Sequence, residues 1–80
     1  MIITSPDLYF VTNGEVSIGT LSADVSDVTW SISGSEIQIV DSVMSFIEAT
    51  DSTVKNVYNE MLTATKDAEI VNLNITINIV

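Results

Sequence analysis

The last ten residues of the chain, Val71 to Val80, alternate apolar and polar side chains almost without a break. Successive side chains of a β-strand point to opposite sides of its sheet, so this pattern predicts one long strand. Its predicted core face is formed by Val71, Leu73, Ile75, Ile77 and Ile79. A domain that ends on such a strand is expected to be an antiparallel β-sandwich.

Turn signals divide most of the remaining chain into short segments of the same kind. Asn13-Gly14 is a strong turn signal because both residues tolerate positive φ, and Gly34 marks another turn between two serines. Within one segment, Trp30 alternates with polar residues and is expected to anchor the core rather than to stack on a ligand. Strands are predicted over residues 8–12, 16–23, 28–33, 37–40 and 44–48.

The stretch from Ser52 to Lys66 is compatible with two structures. Its apolar residues fall on one face of a helix, with Ser52 as a candidate N-cap. Tyr58 and Leu62 also fit one face of a strand, and the β-branched side chain of Thr63 prefers an extended backbone. We favour the strand. The alternative is an α+β regulatory protein with an amphipathic helix in this stretch.

Length and terminal residues indicate one soluble domain over residues 1–80. A chain this short buries only roughly 60% of the surface that its unfolded form exposes. No apolar run approaches the roughly 18 residues that would predict a membrane span. The N-terminal segment lacks the basic start and the apolar stretch of a secretory signal, so we expect synthesis in the cytoplasm without export.

The charge and the missing residue types exclude several classes of function. Eleven acidic residues against two lysines give a net charge of -9, which would repel nucleic acid. The acids are scattered along the chain, as on a solubilising surface. The chain has no cysteine and no histidine, so thiol chemistry and the commonest general base are missing. We therefore predict no enzymatic activity, no cofactor and no small-molecule substrate.

Several motifs, read in order, resemble those of one family. They are the segments Val16 to Ala23, Val28 to Gly34, Phe46 to Asp51, Tyr58, and Leu62 to Thr65. With these motifs the chain resembles a cadherin-like, immunoglobulin-type repeat from about Val16 to Val80. The resemblance implies an all-β, immunoglobulin-like (cadherin-like) Greek-key β-sandwich of about seven strands.

The same resemblance implies where calcium would bind, because the family often bridges consecutive repeats with calcium. The positions that match the family's acidic ligands are Asp27, Asp51 and Asp67. The match is incomplete, since Lys66 stands where the family carries an aspartate and the loop of Asp51 has lost its glutamate. Calcium takes six to eight oxygen ligands and would be opposed by a lysine. We therefore predict no metal site, with these three aspartates as the only candidates.

The favoured hypothesis is a non-enzymatic structural module that docks on a larger symmetric assembly. We expect that assembly to be a virion, where the chain would act as a capsid decoration or accessory protein at the surface and bind capsid proteins or further copies of itself. The competing hypothesis is a calcium-dependent adhesion or carbohydrate-binding module of cadherin-like type.

Two segments are the candidate partner-binding regions. The N-terminal arm, Met1 to Phe10, carries more apolar surface than one short strand needs to bury, although packing into the core is the favoured explanation. The second region is the loop over residues 49–56. The candidate partner-binding residues are Ile2, Ile3, Tyr9, Phe10, Thr53 and Lys55.

Overall fold

Seven β-strands in two sheets form the regular structure of the computed structural model, which describes all 80 residues. The strands are β1 (Leu8–Val11), β2 (Ser17–Thr20), β3 (Thr29–Ile32), β4 (Ile37–Val40), β5 (Val43–Phe46), β6 (Val57–Lys66) and β7 (Glu69–Ile79). One sheet has the order β1-β7-β6-β3 and the other the order β2-β5-β4. The predicted all-β sandwich of about seven strands is confirmed, and its strand order is that of an immunoglobulin-like Greek key.

The β6–β7 hairpin is the main element of the core. The two strands pair antiparallel along the whole of β6, and the alternation predicted for the C-terminal segment is confirmed. Ile75 and Ile77 of β7 and Leu62 of β6 are almost fully buried and face Met44 and Phe46 of the opposite sheet. The helix considered for the stretch after Ser52 is absent, because residues 57–66 are β6 and residues 52–54 form a turn. No helix capable of crossing a membrane is present.

A tight turn joins β4 to β5. Asp41 and Ser42 have φ values of 50° and 65°, and Val40 pairs directly with Val43. Two consecutive positive φ values are typical of a two-residue turn whose twist matches that of the flanking strands. Strand β5 therefore starts at Val43, one residue earlier than predicted. It ends at Phe46, although the Ile47 N–H still donates to the carbonyl oxygen of Glu36 at 3.0 Å.

Trp30 lies on the core side of its sheet and packs against the core, as expected, but it is not one of the fully buried anchors. It lies on β3, the edge strand of the four-stranded sheet, and it is only partly buried against the margin of the core. An edge strand has a neighbour on one side only, so a large ring there keeps part of its surface exposed. The fully buried anchors are Val11, Met44, Leu62, Ile75 and Ile77.

The N-terminal arm is built into the fold. The Thr4 N–H donates to the carbonyl oxygen of Ser22 at 2.9 Å, and the Asp24 N–H donates to that of Ile2 at 2.9 Å. Ile3 is bridged to Ala23 and packs against the core cluster. After Pro6 the chain joins the other sheet, where β1 runs parallel to β7. The arm therefore connects the two sheets on one side of the sandwich.

Tyr9 carries a buried polar atom without a partner. Its side chain is buried among core residues and lies against Gly19, whose missing Cβ leaves room for the ring. No hydrogen bond of ordinary geometry reaches the Tyr9 hydroxyl, and the Ser5 side chain interacts with it only weakly. Burial raises the pKa of Tyr9 above the ordinary value of 10.0, because the phenolate would lose its hydration. Burial of the Tyr9 ring stabilises the core, whereas burial of its hydroxyl lowers the stability of the fold.

Two neighbouring isoleucines test whether the arm belongs to the core. Ile3→Ala should lower the free energy of unfolding by about 1–2 kcal/mol, since it removes methyl groups packed on the core. Ile2→Ala should leave that free energy almost unchanged, because the Ile2 side chain is 65% exposed. Urea denaturation followed by Trp30 fluorescence measures both variants. Equal losses would show that the arm does not pack as described.

Tyr9→Phe tests the unpartnered hydroxyl. At neutral pH the variant should be more stable than the parent by about 1 kcal/mol, because it removes a buried polar group that lacks a hydrogen bond. Above pH 10 the unfolded tyrosine ionises before the folded one, so the parent should lose stability as the pH rises and Tyr9→Phe should lose less. Melting temperatures between pH 7 and pH 11 measure both effects, with Tyr58→Phe as control. A destabilised Tyr9→Phe would contradict this account.

Candidate interaction surface

The outer face of the four-stranded sheet carries no charged side chain. We define the outer face by the residues of the four strands that alternate with the core positions. They are Leu8 and Phe10 of β1, Thr29 and Ser31 of β3, Val57, Asn59, Met61, Thr63 and Thr65 of β6, and Ile70, Asn72, Asn74, Thr76 and Asn78 of β7. In a chain of net charge -9, one whole sheet face is neutral.

Polar side chains on the outer face are ordered by hydrogen bonds across the hairpin. The Thr63 Oγ1 hydroxyl donates to Asn72 Oδ1 at 2.9 Å, and the Thr76 Oγ1 hydroxyl donates to Asn59 Oδ1 at 3.0 Å. Each pair lies directly opposite in the register, where side chains interact most closely. The asparagines accept these bonds through their oxygens, so their amide N–H groups remain available to a partner.

Apolar side chains lie beside these pairs. Phe10 is 62% exposed and pairs in register with Asn78, which in turn pairs with Val57 of β6. Leu8 and Met61 add further exposed apolar surface on the same face. Large exposed apolar groups bordered by neutral polar groups are typical of protein interfaces. The outer face therefore combines apolar anchors with hydrogen-bonding groups and presents no charge to a partner.

The structure separates the four candidate residues of the N-terminal arm. Phe10 is exposed on the outer face, whereas Tyr9 points into the core because successive residues of β1 alternate. Ile3 is packed against the core, so neither Ile3 nor Tyr9 offers its side chain to a partner. Ile2 is exposed, but it lies beside Asp24 rather than on the outer face.

The candidate residues Thr53 and Lys55 have partners within the chain. Asp51 Oδ1 accepts hydrogen bonds from the Thr53 N–H at 3.0 Å and from the Thr53 hydroxyl at 2.6 Å. These bonds lower the pKa of Asp51 because they stabilise its carboxylate. The Lys55 ammonium lies 4.4 Å from the centre of the Tyr58 ring. Thr53 therefore stabilises the turn through Asp51, whereas the Lys55 side chain lies outside the turn and over the Tyr58 ring.

The three aspartates considered as calcium ligands do not meet. Asp51 lies before β6 and Asp67 after it, so a strand about 30 Å long separates them. Asp27 precedes β3 at the end that holds Asp67, where the Lys66 ammonium donates to the carbonyl oxygen of Ser26 at 2.6 Å. No group of three or more acidic or histidine residues in the structure could hold a metal ion. The structure therefore does not bring the three candidate aspartates together in one place.

Sequence patterns indicated the polar positions of β7 but not the surface to which they belong. Asn72, Asn74, Thr76 and Asn78 are the alternating residues of the C-terminal segment. Their partners come from β6 and β1, and only the pairing register brings Asn59 and Phe10 beside them. The parallel pairing of β1 with β7 joins residues far apart in the chain, for which the sequence carries no local signal.

Comparisons with known proteins support the fold and do not assign a family. No family model matches the sequence, and no curated protein matches it. A solved structure from Bacteroides fragilis, provisionally named an alpha-galactosidase, matches 98% of this chain with a TM-score of 0.76 and 17% sequence identity. This chain spans 17% of that protein's length. At this identity the likeness shows the fold alone. The chain is thus a small β-sandwich similar to one part of a much larger protein.

Proposed function

We propose that this chain is a non-enzymatic interaction module that docks through its outer face on a larger symmetric protein assembly. The observation that supports this proposal is that the outer face, in a strongly acidic chain, combines an absence of charge with the exposed ring of Phe10 and ordered cross-strand Thr–Asn pairs. Docking removes water from a surface, and removing water from an unpaired carboxylate is far more costly than removing it from an amide or an apolar ring. The neutral outer face is therefore suited to burial against a partner.

The outer face is also large enough for a specific interface. The molecule measures 40 × 20 × 18 Å, so its broad side has an area on the order of 800 Å², which is the area that each partner buries in an interface of standard size. Phe10 and Leu8 would be the apolar anchors of that interface, and the asparagine amide groups would pair with polar groups of the partner.

The setting that we propose is the surface of a virus particle, where the chain would serve as a decoration or accessory protein. A capsid presents many equivalent sites, so one small module can cover it without associating with itself. With the outer face docked, the acidic residues of the loops would face water, as suits their charge. The capsid subunits are the proposed partners.

A carbohydrate-binding module is the second candidate function. It is favoured by the cross-strand Thr–Asn pairs, because neutral sugars are bound by amide and hydroxyl groups beside an exposed aromatic ring such as Phe10. The structural neighbour named as an alpha-galactosidase fits this candidate by its fold only. Titration with neutral oligosaccharides, followed by NMR shifts of the asparagine side-chain amides, tests it. Saturable shifts on the outer face would support this second function.

Photo-cross-linking from Phe10 tests the docking proposal. A benzoylphenylalanine at position 10 keeps an aromatic ring on the outer face and should cross-link to one repeated structural protein in the native source. The same group at Gln38, which is exposed on β4 of the other sheet, is the control and should not form that product. Mass spectrometry of the cross-linked bands identifies the partner.

Phe10→Lys should weaken co-sedimentation with the same assembly by roughly tenfold or more, because it replaces an apolar anchor of the proposed interface with a charge. Its melting temperature should stay close to that of the parent, since the Phe10 ring is mostly exposed. If the position 10 probe yields no product and the chain never sediments with particles, the docking proposal is wrong. Cross-links from Gln38 alone would move the interface to the other sheet.

A further inference from the structure

A cleft of about 350 Å³ opens between the two sheets on the side where β3 ends. Its floor is formed by the rings of Phe46 and Tyr58, whose centroids are 4.8 Å apart with the planes tilted by 58°. Two carboxylates, those of Glu36 and Glu48, stand at its margin. The cleft thus combines an aromatic floor with an acidic rim. Both features favour a cation over a neutral or anionic group.

The cleft already holds an ammonium group of the chain itself. Lys55 Nζ lies 4.4 Å from the centre of the Tyr58 ring and 4.0 Å from Glu36 Oε1. The Lys55 side chain is half exposed, so these contacts are weak and solvent-screened. A cation delivered by another molecule could therefore replace Lys55 at little cost.

A stretch of unpaired strand edge lies next to the cleft. Strand β3 pairs with β6 only from Leu62 to Thr65. The Ile79 N–H donates to the carbonyl oxygen of Asn56 at 2.9 Å, so the backbone groups of Val57 and Asn59 point away from β7 by the alternation of antiparallel pairing. No strand runs beside them. An extended segment could add to this edge next to Tyr58.

We propose that the cleft binds a lysine or arginine side chain of a protein partner. The partner would present it from an extended segment that adds to the open edge of β6 at Val57 and Asn59. The incoming cation would take the place of Lys55 over Tyr58 and beside Glu36. The cleft lies on the core side of β6 and shares only the edge residues Val57 and Asn59 with the outer face, so its preference for a cation can be tested without knowing the assembly on which the chain docks.

Two short peptides are the probes. One is acetyl-Thr-Val-Lys-Val-Thr-amide, and the other carries norleucine in place of lysine, which keeps the chain length and removes the charge. The lysine peptide should give saturable NMR shifts at the backbone amides of Val57 and Asn59 and at the rings of Tyr58 and Phe46. The norleucine peptide should bind roughly fivefold or more weakly, because only a cation interacts with the ring face and the rim.

Charge-removing variants distinguish the cleft from the overall charge of the protein. Lys55→Gln should bind the lysine peptide roughly two- to fivefold more tightly, and Glu36→Gln should bind it more weakly by a similar factor. The matched controls are Lys66→Gln, which removes the other lysine, and Asp67→Asn, which removes an exposed carboxylate at the far end of β6. Both controls should bind almost as the parent does. Melting temperatures verify that each variant is folded.

Three results would overturn the proposal. The first is equal binding of the lysine and norleucine peptides, which would show that the cleft does not select a cation. The second is an equal gain in affinity for Lys55→Gln and Lys66→Gln, which would show that only net charge matters. The third is the absence of saturable shifts at Val57, Asn59 and Tyr58 up to millimolar peptide. Selective tightening by Lys55→Gln together with weakening by Glu36→Gln would establish the site.

Discussion

The pairing of β6 with β7 is the constraint on which the rest of the structure depends. These strands are the two longest of the chain, and they are joined by a tight turn at Asp67, which has a φ of 53°. One side of the hairpin supplies almost fully buried core residues, and the other side supplies most of the outer face. The same alternation that buries Ile75 and Ile77 therefore exposes Asn74 and Thr76. The fold and the candidate surface therefore both depend on the alternation of side chains along this hairpin.

The unequal lengths of the strands create the second candidate site. Strand β6 has ten residues and β3 has four, so β6 extends beyond its neighbour. At that point the chain leaves β3 through Gly34, which is buried. A Cβ at this position would lie 2.8 Å from the carboxylate of Glu60, so any residue but glycine would have to displace that side chain. Ser33 fixes this carboxylate with a hydrogen bond of 2.8 Å and accepts another from the Met61 N–H. Side-chain hydrogen bonds thus replace strand pairing where β3 stops, and the β6 edge beyond them stays open.

Most of the fold could be predicted from local sequence patterns, because strand alternation and turn residues act over a few positions. The alternating C-terminal segment and the Asn13-Gly14 turn predicted the correct class and the correct elements. The partial exposure of Trp30 was not predicted, because it depends on β3 being an edge strand, a property of the sheet order rather than of the segment. Tyr9 and Phe10 were both predicted to bind a partner. They are neighbours on β1 and point to opposite sides, and the parallel pairing of β1 with β7 buries Tyr9 and exposes Phe10.

The central claim, that the outer face is buried in an assembly, is tested most directly by methionine oxidation. Met61 lies on the outer face and is 39% exposed, whereas Met44 is fully buried in the core and serves as the internal control. Peroxide treatment of the free chain and of the chain in its native assembly, followed by mass spectrometry, gives the rate at each methionine. We expect Met61 oxidation to slow markedly in the assembly while Met44 stays protected in both states. An unchanged rate at Met61 would contradict the account.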